Sequence, residues 1–263
     1  MAFPYEQYVV LNEPLKTYYP AEQAELAQHV AREVAQAGQL LSELLEQPMP
    51  PIEILLVATA DWAFAPQEDE EETEGPATML PYWTDVTSPS TLVVPEQMDE
   101  IIGEGTPEKR SLLLYHELAH AFLENDPRPW PAEIPLWADE WQLQFAAFWL
   151  FQQIHGQIED ITADLHTQFA AIFEPEPDGK TPVTVRGFDW YEDTTPDDYL
   201  EFVLLLEKFA SDLLTRYDAT LLPRFLALYR RDVPGLLSDE VTLLLAEALG
   251  TGGEQWLENL VYF

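Results

Sequence analysis

Apolar positions recur along this chain with two different periods, and the change from one to the other divides it. YVVL (8–11) and LKTYY (15–19) are short β-rich runs on either side of Asn12, Glu13 and Pro14, which predicts a hairpin. From Ala21 to Glu46 the positions Leu26, Ala27, Val30, Val34, Ala37, Leu41, Leu44 and Leu45 follow the period of an amphipathic helix. Pro48, Pro50 and Pro51 end it. IEILLVAT (52–59) is apolar on both faces, as a central strand is. ATMLPYW (77–83) and TLVV (91–94) predict two further strands, the first placed at a sheet edge by Pro81. An edge presents unpaired backbone groups that can take up an extended peptide by strand addition. The block between, QEDEEETEG (67–75), carries like charge and reads as a solvated loop.

Beyond Thr106 the pattern turns helical and stays so. SLLLYHELAHAFLE (111–124) is an apolar helix whose start carries Thr106 as N-cap, Pro107 in the first position and Glu108 at the positive end of the dipole. NDPRPWPAEIP (125–135) is a proline-rich crossing loop. Helical pattern resumes from Ala138 to about Phe173, with Gly156 as a candidate break. EPEPDGKTP (174–182) is a linker, and Asp197–Leu214, Ala219–Arg230 and Ser238–Leu249 predict three more helices. The expected class is α+β. A mixed α/β lobe over 1–125 ends in the 111–124 helix, and a helical lobe follows over 126–263.

Candidate chemistry is concentrated in HELAH. His116 and His120 stand at i and i+4, so both imidazoles project from one helical face, one turn apart. That spacing lets two neutral ring nitrogens reach one tetrahedral zinc at about 2.0–2.1 Å. Glu117 can approach water at such a metal without itself binding the metal. As an ordinary core helix, the same segment would have to find partners for two histidines and a glutamate in apolar surroundings, which is costly. A third ligand has three candidates downstream: Asp126, Glu133 and Glu140.

HELAH with LWADEW downstream resembles the HExxH…E arrangement of the gluzincin metallopeptidases, relatives of thermolysin and aminopeptidase N. Trp137, Ala138, Asp139 and Glu140 resemble the W-x-x-E of the aminopeptidase N branch. The resemblance implies a zincin-like fold with a cleft between the lobes, Zn2+ as cofactor, His116, His120 and Glu140 as ligands, and Glu117 as general base. HELAHAFLEND also matches the metzincin-like HExxHxxGxxD with Asp126 as ligand, except that Leu123 stands where a glycine makes the turn. Gluzincins often carry an aspartate four residues after the third ligand; here it is Gln144, with Asp139 as a substitute from the other side of the helix. GPATM (75–79) lies where aminopeptidase N relatives have a glutamate for the substrate amino terminus, and it holds none, which counts against an aminopeptidase. YLEFVLLLEKF and ATLLPRFLALY resemble the paired helices that close the gluzincin cleft. Tyr191, or else Tyr199, is then the candidate donor to the developing oxyanion, although the family position falls near Thr195 and Pro196.

Charge and composition narrow the partners. Net charge is −36, from 48 acidic and 12 basic residues, which disfavours nucleic acid and anionic membrane surfaces. With 47% hydrophobic and 12% aromatic residues the chain is a folded one. There is no cysteine, hence no disulfide and no thiolate ligand. The start, MAFPYEQYVVLNEP, lacks a basic segment followed by an apolar one, and no apolar run is long enough to span a bilayer, so the expectation is a soluble, cytoplasmic protein. His29, His155 and His166 lack accompanying ligand patterns and read as structural, the last two on similar faces of one helix. The expected function is zinc-dependent peptide hydrolysis. The alternatives are a gluzincin-like domain without peptidase activity, a metal-dependent hydrolase of a non-peptide substrate, and a helical interaction protein with no metal.

Overall fold

The expected hairpin forms, with β1 (Val9–Leu11) antiparallel to β2 (Thr17–Tyr19) and Val9 opposite Tyr19. These positions come from a computed structural model that describes residues 3–67, 78–100, 103–156, 161–177, 179, 181–188 and 194–263. The fold is α+β, in two compact units, Met1–Asn125 and Asp126–Phe263.

In the first unit a helix α1 (Ala24–Leu45) connects β2 to the parallel strand β3 (Ile52–Val57). β5 (Ser90–Pro95) runs parallel to β3, and β4 (Tyr82–Thr84) pairs antiparallel with β5, giving the order β1-β2-β3-β5-β4. Side chains alternate across the sheet. Leu55, Val57 and Val93 enter an aromatic cluster with Phe3, Tyr8 and Trp62, against which Tyr5, Tyr18 and Tyr82 pack. Ile54, Leu56, Leu92 and Val94 take the opposite parity and are fully buried. α1 packs on β2 and on helix α2 (Pro107–Glu124), and α2 packs on β4 and β5.

β4 is shorter than ATMLPYW suggests. Pro81 has no N–H to give a ladder, and the segment before it is held from elsewhere: Met79 N–H donates to Asp99 Oδ2 at 2.7 Å and Met79 C=O accepts from Asp99 N–H at 3.0 Å. Pairing therefore begins at Tyr82. The acidic block expected as a loop lies outside the described residues from position 68 onward.

α1 and α2 are joined by a polar contact inside an apolar interface. Glu33 on α1 is buried, and Tyr115 on α2 donates its hydroxyl hydrogen to Glu33 Oε1 at 2.6 Å. His29, one turn before Glu33, lies 3.4 Å from the other oxygen, so this histidine serves the buried carboxylate. α2 itself starts as expected, with the Thr106 side chain accepting from Lys109 N–H at 3.2 Å and Pro107 in the first turn.

The described residues of the second unit form helices and connecting turns. α3 (Leu136–His155) is apolar on nearly every side and buries Trp137, Trp141, Phe145 and Phe151. It stops at Gly156, whose φ of 97° suits glycine and few other residues. Helical structure is thus not continuous to Phe173. α4 (Ala163–Gln168) and a 3₁₀ turn at Ala170–Phe173 follow separately. His155 and His166 consequently sit on different helices: His155 stacks on Phe151 at 4.5 Å, and His166 meets Glu207 at 3.2 Å. α5 (Pro196–Arg216) opens with a capping box between Thr195 and Asp198 and lies along α3. α6 (Leu221–Tyr229) touches α3 but packs mainly on α7 (Ser238–Leu249), which also packs on α8 (Gly253–Glu258), a helix the periodicity did not reveal. Among the described residues no helix is long and apolar enough to cross a membrane.

Tyr115→Phe leaves the buried Glu33 carboxylate short of its hydroxyl donor, and should lower unfolding stability by about 1–3 kcal/mol. Urea denaturation checks this; an unchanged midpoint would mean that the hydroxyl is dispensable to the α1–α2 interface.

Candidate metal and catalytic site

His116 and His120 are both half-buried on α2, with ring centroids 5.2 Å apart and planes inclined at 66°. Burial, and then the neighbouring His116, push the His120 pKa down from 6.5 to about 3. His120 is therefore neutral at neutral pH, the form in which imidazole binds metal.

Glu117 lies about 100° further round the helix than His116, and its carboxylate meets the sheet edge. Oε2 accepts a hydrogen bond from the backbone N–H of Trp83 at 2.8 Å. Because this β4 amide is given to Glu117, it points away from β5, and Trp83 opposite Leu92 is a non-hydrogen-bonded position of the ladder. The edge thus differs from a row of unpaired groups. Pro81 has no N–H, and the Trp83 N–H is committed to Glu117. A backbone donor leaves no mark in a sequence, and only the signal for an edge at Pro81 hinted at this contact.

The remaining candidates lie in the second unit. Glu140 is on the second turn of α3, half-buried. Burial, and then the charge of Asp139, raise its carboxyl from 4.5 to about 7. Gln144, one turn on, is buried. Asp126 is buried and engaged by Arg128, whose backbone N–H donates at 2.9 Å and whose guanidinium donates to both carboxylate oxygens. The Arg128 contacts hold its pKa below the usual carboxylate range against the opposing effect of burial. A carboxylate so occupied is a poor rival for metal. Glu133 is exposed, and its backbone C=O accepts from Leu236 N–H at 2.8 Å. Tyr199 is half-buried on the first turn of α5, its ring 6.5 Å from Phe188 and 6.3 Å from Phe202. Thr195, at the position where the resemblance puts the oxyanion donor, is the N-cap of α5. Tyr191, and residues 75–77 of GPATM, lie outside the described residues. Tyr229 was not singled out by the sequence. Its hydroxyl is buried without a hydrogen-bond partner among the described residues, and burial, then Asp139, push its pKa up.

His116, Glu117 and His120 are brought together on one helix of the first unit, and Glu140 belongs to the second. Among the described residues no group of three or more His, Asp or Glu side chains that could hold a metal ion is formed. The imidazole pair suits zinc by donor chemistry, and the third donor rests on the resemblance alone. No family model matches the chain, and no curated protein matches it.

The Glu140 carboxyl has a folded-state pKa above its ordinary value, so the folded state favours the protonated form. The corresponding stability is present below pH 4.5 and is lost as pH rises through about 7. In EDTA-treated protein, Glu140→Gln should therefore gain stability relative to the parent chain between these pH values and hold that gain above them. Urea unfolding across this range checks it; a difference that does not change with pH would remove burial as the cause.

Proposed function

We propose that the chain is a zinc-dependent peptide-bond hydrolase of gluzincin type, with His116, His120 and Glu140 as ligands and Glu117 as general base. What supports this reading is one arrangement inside the first unit. A pair of imidazoles stands one turn apart on α2, with the intervening carboxylate held at the outer strand of the sheet. Zinc bound there would supply Lewis acidity, polarising a scissile carbonyl and bringing the pKa of water toward about 7. Glu117 takes the proton of the attacking water and delivers it to the leaving amine. β4 offers an extended peptide a strand to lie against, beside the helix that carries the base. Glu140 provides the anionic third donor by resemblance.

A zinc-binding domain without hydrolysis is the second reading. It is favoured by Gln144 in place of the aspartate often found there, and by a Tyr199 ring packed near Phe188 and Phe202. A non-peptide hydrolase would use the same ligands and base.

Elemental analysis should find about one zinc per chain, lost on changing His116, His120 or Glu140 to Ala. Glu117→Gln should keep the zinc while hydrolysis of unstructured peptides falls roughly 10²-fold or more. Zinc retained with no hydrolysis before or after the change would favour the binding domain. Absence of zinc after reconstitution, or affinity lost in Asp126→Ala but not in Glu140→Ala, would overturn the ligand set.

A further inference from the structure

The sheet edge and the proposed general base share one hydrogen bond. Strand addition to β4 draws on the backbone groups that face away from β5. At the outward positions 81 and 83, Pro81 offers no donor and the Trp83 N–H goes to Glu117 Oε2 at 2.8 Å. An extended segment that adds along this edge needs the same N–H for one of its own carbonyl oxygens. Two acceptors thus compete for a single amide, and both cannot hold it well.

We propose that Glu117 and the Trp83 amide form a latch that an extended peptide opens. When the peptide adds to β4, its carbonyl takes the Trp83 N–H and the Glu117 carboxylate is released from the strand. The choice of a peptide as occupant rests on the hydrolase reading above; the latch itself is a contact within the first unit. Neighbouring structure keeps it closed in the resting chain. The ladder fixes the strand on both sides of Trp83, through Tyr82 opposite Val93 and Thr84 opposite Thr91. On the other side, α2 is held to α1 by Tyr115 and Glu33, only two residues before Glu117.

The latch also selects its substrate. A segment folded as a helix spends its carbonyls internally and has none to offer the edge, so it leaves Glu117 tied down. An extended, unstructured segment presents a carbonyl at the required place. Binding and release of the base are then one event, and hydrolysis is confined to chain that can lie as a strand.

Hydrogen exchange of the Trp83 amide, followed by NMR, tests the contact directly. Glu117→Ala should raise its exchange by about tenfold, while Glu117→Gln, which keeps an acceptor, should retain most of the protection. Peptide affinity tests the competition. The probe is a fluorescein-labelled hexapeptide of alternating Val and Lys, titrated by anisotropy against the full chain in EDTA so that no bond is cut. Glu117→Ala should bind it about tenfold more tightly than the parent, and Glu117→Gln within about twofold of the parent. Trp83→Pro removes the amide hydrogen and should abolish the gain from Glu117→Ala, whereas Trp83→Ala keeps the amide and should preserve the gain. No gain in Glu117→Ala, an equal gain in Glu117→Gln, or a gain that survives Trp83→Pro would each overturn the latch. Unaltered Trp83 exchange in Glu117→Ala would do so even if Trp83→Pro fails to fold. A chain that shows these effects without zinc or hydrolysis keeps the latch and loses the hydrolase reading. A zinc-dependent hydrolase that shows none of them does the reverse.

Discussion

A polar group buried on an apolar helix has to be given a partner, and much of the first unit is arranged around meeting that demand on α2. Between Leu112 and Phe122 the helix places a tyrosine, two histidines and a glutamate among leucines, alanines and a phenylalanine. Each leaves water at a cost that only a hydrogen bond, a metal or the loss of a charge can offset. Tyr115 donates to Glu33 on α1, and Glu117 accepts from Trp83 on β4. These two contacts tie α2 on one side to the helix beside it and on the other to the outermost strand. His120 meets the demand differently, by staying neutral well below the ordinary titration range of histidine.

The second unit answers a similar demand with less polar material. α3 is apolar on nearly every side, and it carries Asp139 and Glu140 side by side. Burial, and then the charge of Asp139, make ionisation harder at two neighbours: Glu140 is shifted up to about 7, and the Tyr229 hydroxyl is pushed up as well. Asp126 shows the opposite case. It is buried, but the Arg128 guanidinium donates to both carboxylate oxygens and holds the pKa below the usual carboxylate range. Two acids of one unit are thus shifted in opposite directions, Glu140 up by burial and the charge of Asp139, Asp126 down by the contacts of Arg128.

The hydrophobic pattern by itself determined the element types and much of their order. The stripe on α1, the doubly apolar β3 and the capping signals at Thr106 and Pro107 were all visible as local periodicity and local backbone chemistry, because each depends on residues within a few positions of one another. The i, i+4 histidines were legible for the same reason: helix geometry alone puts them on one face. Gly156 was legible as a candidate break in the helical pattern over 138–173, and its positive φ does end α3, so that His155 and His166 lie on separate elements and not on one helix.

What only the tertiary structure decided are the contacts between segments far apart in sequence. No periodicity says that β4 lies outside β5, that its Trp83 amide turns toward α2, or that the acceptor there is Glu117 rather than water. Such pairings follow from strand order and crossover geometry, which sum many weak long-range preferences. The same holds for the shifts at His120 and Glu140, since burial depends on everything that packs around a side chain and leaves no imprint on its own neighbours in the chain. HELAH is spelled in five consecutive letters. The strand that holds its glutamate comes from a separate part of the chain, through a backbone group that every residue except proline shares.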